Sequence, residues 1–420
     1  MRISVSAAIA FAAASLLLCT KVRAAGRAEE SLSLEEALRR AEEHSPLVRR
    51  ARLERGIVSA KRVGAGVLLP ANPGFTAALG GRRDTSGSVP PASGFEFGLQ
   101  LGQSLEIAGQ RGARLAEAAA GLRAAEARVE LASVETRARA RVAYLSALIA
   151  SAQAESARRR EELGQRVYES ARARVQAGAA SDVELRLAEV ERGRLRADRI
   201  DAELAVGDSL AVLRLLLELP VDGALTLSTP LQLPPAVASP LSPLVEKARA
   251  RRAELRALDA DRSQLDAAVV RLRREVAPNP TLFVEFARQQ PGQTYVGGGL
   301  AFSLPVWRRN QGELALVRAE RDLVDGEREL IDRTITVEVE RALRTTVARR
   351  AEAELWEREV VPAAEATVEL VQQGWRAGKF DLFRVIQASR EAGEARRRQL
   401  EVLGALWQAS IELDRATGNR

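Results

Sequence analysis

An unbroken helical pattern covers Arg111 to Gln176, and no proline interrupts it. At a rise of 1.5 Å per residue, such a helix would extend on the order of 100 Å. A single globular core does not need a helix of this length, so the pattern indicates a coiled coil, a rod or the wall of a tunnel. Its apolar positions are mostly Ala, which predicts close packing of helix axes.

The long helix is predicted to fold back on a second one. Ala177-Gly178 ends the first pattern, and a new helical pattern runs from Asp182 to about Leu219. A tight turn between two long helices predicts an antiparallel helical hairpin with its tip at Gly178.

A β-hairpin is predicted just before the long helix. In Gly94 to Glu106, GFEFGLQLGQSLE, the apolar residues Phe95, Phe97, Leu99 and Leu101 alternate with Gly, Glu and Gln. Period-two alternation is the signature of a strand with two different faces. About 9–11 residues of this kind is also the length of a transmembrane β-strand.

The same order of elements occurs twice in the chain. Tyr295 to Gly312, YVGGGLAFSLPVWRRNQG, repeats the transition from strand to helix about 200 residues later, and Ala377-Gly378 ends the second long pattern as Ala177-Gly178 ends the first. Such self-similarity indicates an internal duplication. Repeat one is predicted to span 26–219 with a β-hairpin at 73–106 and a helical hairpin at 111–219. Repeat two spans 244–420 with a β-hairpin at 279–306 and a helical hairpin at 312–415, after a proline-rich linker at 220–243.

The helical elements carry further local signals. A helix is predicted from Ser31 to about Val63, with Ser33 and Glu36 as its capping box and a restart at Pro46. The first 25 residues read as a secretory signal peptide, with a short positive start, an apolar run and the sequence Val22-Arg23-Ala24 before the cleavage point. A competing interpretation makes Cys19 a lipidation site.

Composition excludes several classes of function. The net charge is +7, but Arg alternates with Glu along the helices and no basic stretch carries interleaved aromatic residues, so nucleic acid is not the expected partner. One His and one Cys rule out a His/Cys metal cluster. No nucleophile with a base and no phosphate-binding loop is recognisable, so we expect no catalytic residues, no metal site and no cofactor.

These residues and their duplication resemble the TolC-like outer membrane efflux protein family over nearly the whole chain after the leader. Within it, Glu106 to Arg114 (EIAGQRGAR) and Ser303 to Gly312 (SLPVWRRNQG) are most similar to the CzcC/CusC branch, whose members work with heavy-metal resistance-nodulation-division pumps. The resemblance implies a mainly α fold with a small β part. Each protomer of a homotrimer gives four strands to a shared twelve-stranded barrel in outer-membrane lipid, and long helical hairpins form a periplasmic tunnel.

The implied function is that of a passive exit duct, not of an enzyme. Its partners would be a periplasmic adaptor protein and an inner-membrane resistance-nodulation-division pump, and its cargo heavy-metal cations. Physical reasoning agrees, because four strands cannot close a barrel alone and lipid tolerates no unpaired backbone. Export of drugs or other organic compounds is the alternative within transport. A periplasmic coiled-coil scaffold is the alternative of another class, but it does not explain the duplicated β-hairpins.

A gate is expected near the hairpin tips, Gly178 and Gly378. In the resembling family acidic residues often ring the pore in the second repeat, whereas Arg384 and Gln387 stand at those positions here, and Glu184 is the counterpart of Arg384. Our hypothesis is that Asp182, Glu184, Lys379 and Arg384 form ion pairs that hold the tip closed. The alternative is ordinary solvated charge at helix starts.

Aromatic residues in and beside the β-hairpins are the candidates for contact with lipid or its interface. They are Phe95, Phe97, Phe283, Phe286, Tyr295, Phe302 and, just past the last strand, Trp307.

Overall fold

The computed structural model describes residues 30–83, 93–220, 223, 225–290 and 293–419. The predicted signal peptide and Cys19 lie outside these residues. The helices are α1 (Leu34–His44), α2 (Pro46–Ala65), α3 (Gln110–Gln176), α4 (Asp182–Leu217), α5 (Leu241–Arg251), α6 (Ala253–Arg274), α7 (Gln311–Leu355), α8 (Val361–Arg376) and α9 (Leu382–Ala416). The strands are β1 (Glu30–Leu32), β2 (Gly74–Arg83), β3 (Ser93–Ser104), β4 (Leu225–Leu227), β5 (Thr281–Gln290) and β6 (Gln293–Ala301).

The predicted mainly α fold with two β-hairpins and two long helical hairpins is confirmed. Helix α3 has 67 residues, and α4 follows it after a five-residue turn. No helix in the described residues combines the length and the apolar character that crossing a bilayer requires.

The chain divides into two compact units that each combine parts of both repeats. One contains the described parts of residues 1–41, 140–232 and 361–401, and the other those of 42–139, 233–360 and 402–420. The duplication in sequence is therefore not a division into two separate domains.

The core of the first unit surrounds Tyr144 of α3, which is fully buried. Leu38 and Ala41 of α1 and Leu213 and Leu217 of α4 belong to the same apolar cluster. The Tyr144 hydroxyl donates to the carbonyl oxygen of Leu32 at 2.8 Å and lies 3.0 Å from the Thr229 hydroxyl. The tyrosine thus ties α3 to the backbone at the ends of two short strands.

Those strands, β1 and β4, correct the prediction at two places. They pair in parallel, Leu32 with Leu227, so the expected helix from Ser31 begins only at Leu34 and the proline-rich linker contains a strand. Ser33 does cap α1, because its hydroxyl accepts from the Glu36 amide at 3.2 Å. The Glu36 carboxylate binds Arg39 and Arg40 instead of the cap, and these hydrogen bonds lower its pKa to about 2.

The second unit contains the sheet and the helices beside it. The sheet is four-stranded and antiparallel in the order β2-β3-β5-β6, so the two hairpins join through β3 and β5. Leu244 and Val245 of α5 pack on Ile335 and Val339 of α7. Arg252, which is buried, donates to the Ala416 carbonyl oxygen at 2.9 Å.

Helices α6 and α7 run antiparallel and are joined by ion pairs on successive turns. Three arginines pair with aspartates of the other helix: Arg328 with Asp259 at 2.6 Å, Arg262 with Asp325 at 3.1 Å and Arg321 with Asp266 at 2.8 Å. The Arg/acid alternation in the sequence therefore serves pairs between helices as well as pairs within one helix.

The second long helix is interrupted, against the prediction of one pattern from Gly312 to Ala377. A π-helical turn at Trp356–Val360 separates α7 from α8. Pro362 follows directly, and a proline has no N–H to donate to the preceding turn. The wider π-helical turn accommodates the missing hydrogen bond, so the helix continues in the same direction.

We predict that Tyr144→Phe lowers the free energy of unfolding by about 0.5–1.5 kcal/mol, because the hydrogen bonds of its buried hydroxyl to Leu32 and Thr229 are lost, while the Ser228 amide still donates to the Leu32 carbonyl oxygen. Denaturant titration of the detergent-purified protein, followed by helical circular dichroism, measures this change. Tyr168→Phe on the same helix is the matched control, since its ring still lies 3.9 Å under Arg192. Equal stability of the two variants would contradict the role given to Tyr144.

Candidate functional site

The two helical hairpins end in the same turn. Gly178 and Gly378 both have φ of +70°, a conformation that glycine adopts without strain. The amide of the next residue reaches back to a helix carbonyl in each case, from Ala179 to Arg174 and from Lys379 to Gly374, both at 2.8 Å. This hydrogen-bond pattern closes the carbonyl end of a helix. The structure therefore places both glycines at the tips of the hairpins.

The returning helices begin with side-chain caps. The Ser181 hydroxyl accepts from the Glu184 amide at 3.4 Å, and the Asp381 carboxylate accepts from the Arg384 amide at 3.0 Å. Acidic groups at a helix start also interact favourably with the helix dipole. The caps are therefore Ser181 and Asp381, and the side chains of Glu184 and Arg384 take no part in them.

An apolar cluster joins the two hairpins just behind their tips. It contains Ala171 of α3, Ala188 of α4, Trp375 of α8, and Leu382 and Val385 of α9. The cluster covers the Trp375 ring, which is 4% exposed. The two hairpins of one chain therefore form one packed body at this end.

Arg174 adds a polar link between the hairpins. Its guanidinium lies 5.2 Å from the centre of the Trp375 ring, and its Nη1 donates to the Trp375 carbonyl oxygen at 3.3 Å. A cation over the face of a tryptophan contributes roughly 0.5–2 kcal/mol, more when water is excluded. No pattern in the sequence predicted this contact between Arg174 and Trp375.

The second tip is bulkier than the first. Phe380 places its ring against the backbone of Gly374, where a methyl group would overlap the ring. Arg384 lies 5.4 Å above the same ring. At the first tip, Ala179 and Ala180 correspond to Lys379 and Phe380. The two tips therefore share a backbone and differ in surface.

The candidate gate residues lie close to these tips, mostly exposed. Asp182, Lys379 and Arg384 are exposed, and Gln387 donates to Glu391 of its own helix at 3.3 Å. Glu184 is half-buried, and one of its carboxylate oxygens is buried without a hydrogen-bond partner. Across the described residues no ion pair joins any two of Asp182, Glu184, Lys379 and Arg384 within one chain.

A cavity of about 800 Å³ lies between the hairpins, on the side of this cluster that is farther from the tips. Charged residues line it in pairs. Arg390 Nε donates to the buried Glu191 carboxylate at 3.0 Å, and this hydrogen bond raises the pKa of Arg390. Arg160 lies 3.6 Å from Asp198. These acidic groups are already neutralised by arginine, and the described residues contain no group of three or more potential metal ligands.

The register of the sheet sorts the aromatic residues between its two faces. Directly opposed residues share a face in an antiparallel sheet. Phe97 pairs with Leu79, and Leu99 pairs with Phe286, so Phe95, Phe97 and Phe286 belong to one apolar face. The same face carries Phe75, Ala77, Leu101, Leu282, Val284, Val296 and Leu300.

The opposite face is polar and small, and it includes two of the predicted aromatic residues. Phe283 pairs with Gly102 and Gly299, and Tyr295 pairs with Ala287, on the face that also carries Glu96, Gln100 and Glu285. Phe302 and Trp307 follow β6 and are 56% and 85% exposed. The structure thus divides the predicted set into residues on the apolar face, residues on the polar face and residues beyond the last strand.

Comparisons with known proteins agree with this architecture. The curated relative is the cobalt-zinc-cadmium resistance protein CzcC of Cupriavidus metallidurans, which is 28% identical over 328 residues, 76% of each chain. The CusC crystal structure superposes with a TM-score of 0.71 at 16% identity over 96% of both chains. The open MtrE outer membrane channel of Neisseria gonorrhoeae gives a TM-score of 0.70 at 19% identity, over 92% of this chain and 89% of that one.

The family model described as outer membrane efflux protein matches residues 37–218 and 244–419. The two matched segments cover the two halves of the duplicated chain, from α1 to α4 and from α5 to α9. The chain belongs to the outer membrane efflux protein family.

Proposed function

We propose that three copies of this chain form one channel in the outer membrane, through a twelve-stranded barrel to which each copy gives four strands. The proposal rests on two properties of the four-stranded sheet. Its apolar face is exposed, and its outer strands β2 and β6 have no partner within the described chain. Lipid excludes unpaired backbone groups, so such a sheet is stable in a membrane only when its edges are joined.

The other face of the sheet has the composition of a channel lining. Gly98 and Gly102 of β3 alternate there with Glu96, Gln100 and Ser104, and Glu285 of β5 pairs with Gln100. Small and polar side chains leave a lumen open and wet, as in barrels that conduct solutes. In this proposal Phe95, Phe97 and Phe286 face lipid, Phe302 and Trp307 lie at the interface, and Phe283 and Tyr295 border the lumen.

The helical hairpins extend the duct towards its partners in the periplasm. The family and the resemblance to the CzcC/CusC branch support an adaptor protein and a resistance-nodulation-division pump as those partners. Heavy-metal cations are the proposed cargo, because the curated relative is named for cobalt, zinc and cadmium resistance. A passive duct needs neither catalysis nor tight binding of what passes through it.

We predict that the protein extracted from outer-membrane fractions has the mass of three chains. Light scattering of the detergent-solubilised protein, corrected for bound detergent, measures this mass. A monomer or a dimer, or recovery in the soluble periplasmic fraction, would contradict the shared barrel and favour a helical scaffold.

We predict that deletion of the gene lowers tolerance to zinc, cobalt or cadmium and leaves tolerance to organic toxicants unchanged. Growth inhibition across metal and drug concentrations, with complementation by the intact gene, measures the effect. Sensitivity to organic compounds alone would assign the duct to drug export instead.

The gate is proposed to close through ion pairs between neighbouring protomers. Within one chain Glu184 and Arg384 lie on the first turns of α4 and α9 without an ion pair, so their charges are available to another chain. An exposed ion pair contributes about 0.2–1 kcal/mol, which is enough to shift an equilibrium between closed and open forms by up to roughly fivefold.

We therefore predict that Glu184→Ala and Arg384→Ala each raise the open fraction of channels in planar bilayers by about two- to fivefold. Glu189→Ala is the matched control, because Glu189 is paired with Arg186 of its own helix at 2.9 Å. An unchanged open fraction in both test variants would contradict the gating proposal.

A further inference from the structure

Four exposed arginines, called the arginine cluster below, lie where helices α6 and α7 meet the sheet. Helix α6 leads into β5, and β6 leads into α7. The Asn310 side chain donates to the Leu272 carbonyl oxygen at 3.0 Å, so the end of α6 lies next to the start of α7. The residues of the cluster, which flank this hydrogen bond in sequence, are Arg273, Arg274, Arg308 and Arg309.

The arginine cluster is not neutralised by acidic side chains. None of its four members forms an ion pair in the described residues. Glu275 pairs with Arg271 at 2.6 Å, and Glu106 pairs with Arg114, so these two acids already have a partner. Glu313 adds one negative charge in the first turn of α7. Four arginines and one such carboxylate leave this surface with a net positive charge.

Helix stability does not account for all of these charges. Arg273 and Arg274 lie in the last turn of α6, where the helix dipole favours positive charge. Arg308 and Arg309 directly precede the first turn of α7, where the dipole disfavours positive charge. Two of the four arginines therefore occupy positions that are unfavourable for the helix beside them.

The turn that carries Arg308 is fixed by hydrogen bonds. The Gln311 side chain accepts from the Arg309 amide at 2.6 Å and donates to the Trp307 carbonyl oxygen at 2.8 Å. Arg309 Nε donates to the Pro305 carbonyl oxygen at 3.1 Å, which leaves both of its Nη groups as donors. Guanidinium groups bind phosphate through such paired donors, and a fixed turn loses little conformational entropy on binding. The cluster therefore suits a phosphate group.

Large apolar side chains border the arginine cluster. Leu304, Val306 and Trp307 are 70%, 52% and 85% exposed. Ile107 is 69% exposed and precedes the residue whose carbonyl oxygen accepts from Arg274 Nη1 at 3.1 Å. A free phosphate ion would leave these apolar groups in water, whereas the acyl chains of a phospholipid would cover them. The combination of phosphate-binding and apolar groups therefore favours a lipid over a soluble anion.

We infer that the arginine cluster binds the phosphate of an anionic phospholipid in the periplasmic leaflet of the outer membrane. The inference rests on the proposed function, which places the sheet in that membrane and the helical hairpins in the periplasm. The end of the sheet that joins the helices then lies at the periplasmic leaflet, which consists of phospholipids. Tryptophan beside basic residues is typical of the level of lipid headgroups, and basic residues there attract anionic lipids.

The sheet continues this surface towards the centre of the membrane. Val296 and Leu300 lie on the apolar face of β6, and Leu304 follows the strand after a short interval. A lipid whose headgroup binds the arginine cluster can thus place its acyl chains along the apolar face. The charge and the apolar surface are complementary to the two parts of one molecule.

Native mass spectrometry of the full-length protein in mild detergent tests the site, with phosphatidylglycerol and phosphatidylethanolamine added separately at equal concentration. We expect the anionic lipid to bind the unsubstituted protein about tenfold more tightly. Arg273→Gln with Arg308→Gln should remove most of this preference, because each arginine near an anionic lipid contributes about fivefold in affinity. Neither side chain makes a hydrogen bond in the described residues.

Arg166→Gln with Arg172→Gln is the matched control. It removes two exposed arginines of α3 that also form no ion pair in the described residues, so the change in net charge is the same. We expect this pair to keep the preference for phosphatidylglycerol. An equal loss in the control pair would overturn the inference, because it would assign the effect to overall charge.

The remaining outcomes separate the site from the function. Equal affinity of the two lipids for the unsubstituted protein would overturn the inference, and this comparison needs no variant. Displacement of phosphatidylglycerol by inorganic phosphate, but not by chloride at equal ionic strength, would assign the cluster to a free anion and also overturn it. The same spectra give the number of chains. A trimer without lipid preference contradicts only this inference, whereas a protein that is not a trimer contradicts the proposed function whatever lipid it binds.

Discussion

The backbone edges of the sheet constrain everything else about this chain. Strands β2 and β6 each expose a row of unpaired N–H and C=O groups, and the face between them is apolar. Water could satisfy those edges, but then the apolar face would be exposed to water; lipid could cover the face, but then the edges would be unpaired. The proposed ring of three such sheets satisfies both conditions at once.

The helical part follows a different physical rule. Its long helices bury many Ala residues, such as Ala140, Ala143 and Ala147 near Tyr144, and contribute few large apolar side chains to any one cluster. Small residues allow close helix axes but remove little apolar surface per residue. Ion pairs between helices, as between α6 and α7, therefore fix which helix lies beside which.

Much of this architecture follows from periodicity, because the signals are long. The long helix at 110–176 and the alternation of Phe95, Phe97 and Leu99 each extend over enough residues to exclude other interpretations, and the two Ala-Gly pairs mark where long helices end. Short elements, and contacts that depend on the folded structure, could not be predicted from periodicity. Strand β4 has three residues in a proline-rich segment, and it is stabilised by its pairing with β1 and by the packing of Leu225 and Leu227 on the cluster around Tyr144.

The positions of the site residues also could not be predicted from sequence patterns alone. The faces of Phe283 and Tyr295 depend on strand register, which a list of aromatic residues does not contain. The contact of Arg174 with Trp375 joins positions 201 residues apart, and the place of Phe380 on Gly374 depends on the turn between them.

The strict register of the sheet has a consequence for how such chains can change in length. Adjacent residues of a strand point to opposite faces, so insertion of one residue within β3 would move every following Leu and Phe of that strand to the face that carries Gln100 and Glu285. A change of one residue in a connection between strands leaves the faces of the strands as they are, whereas the same change inside a strand exchanges them.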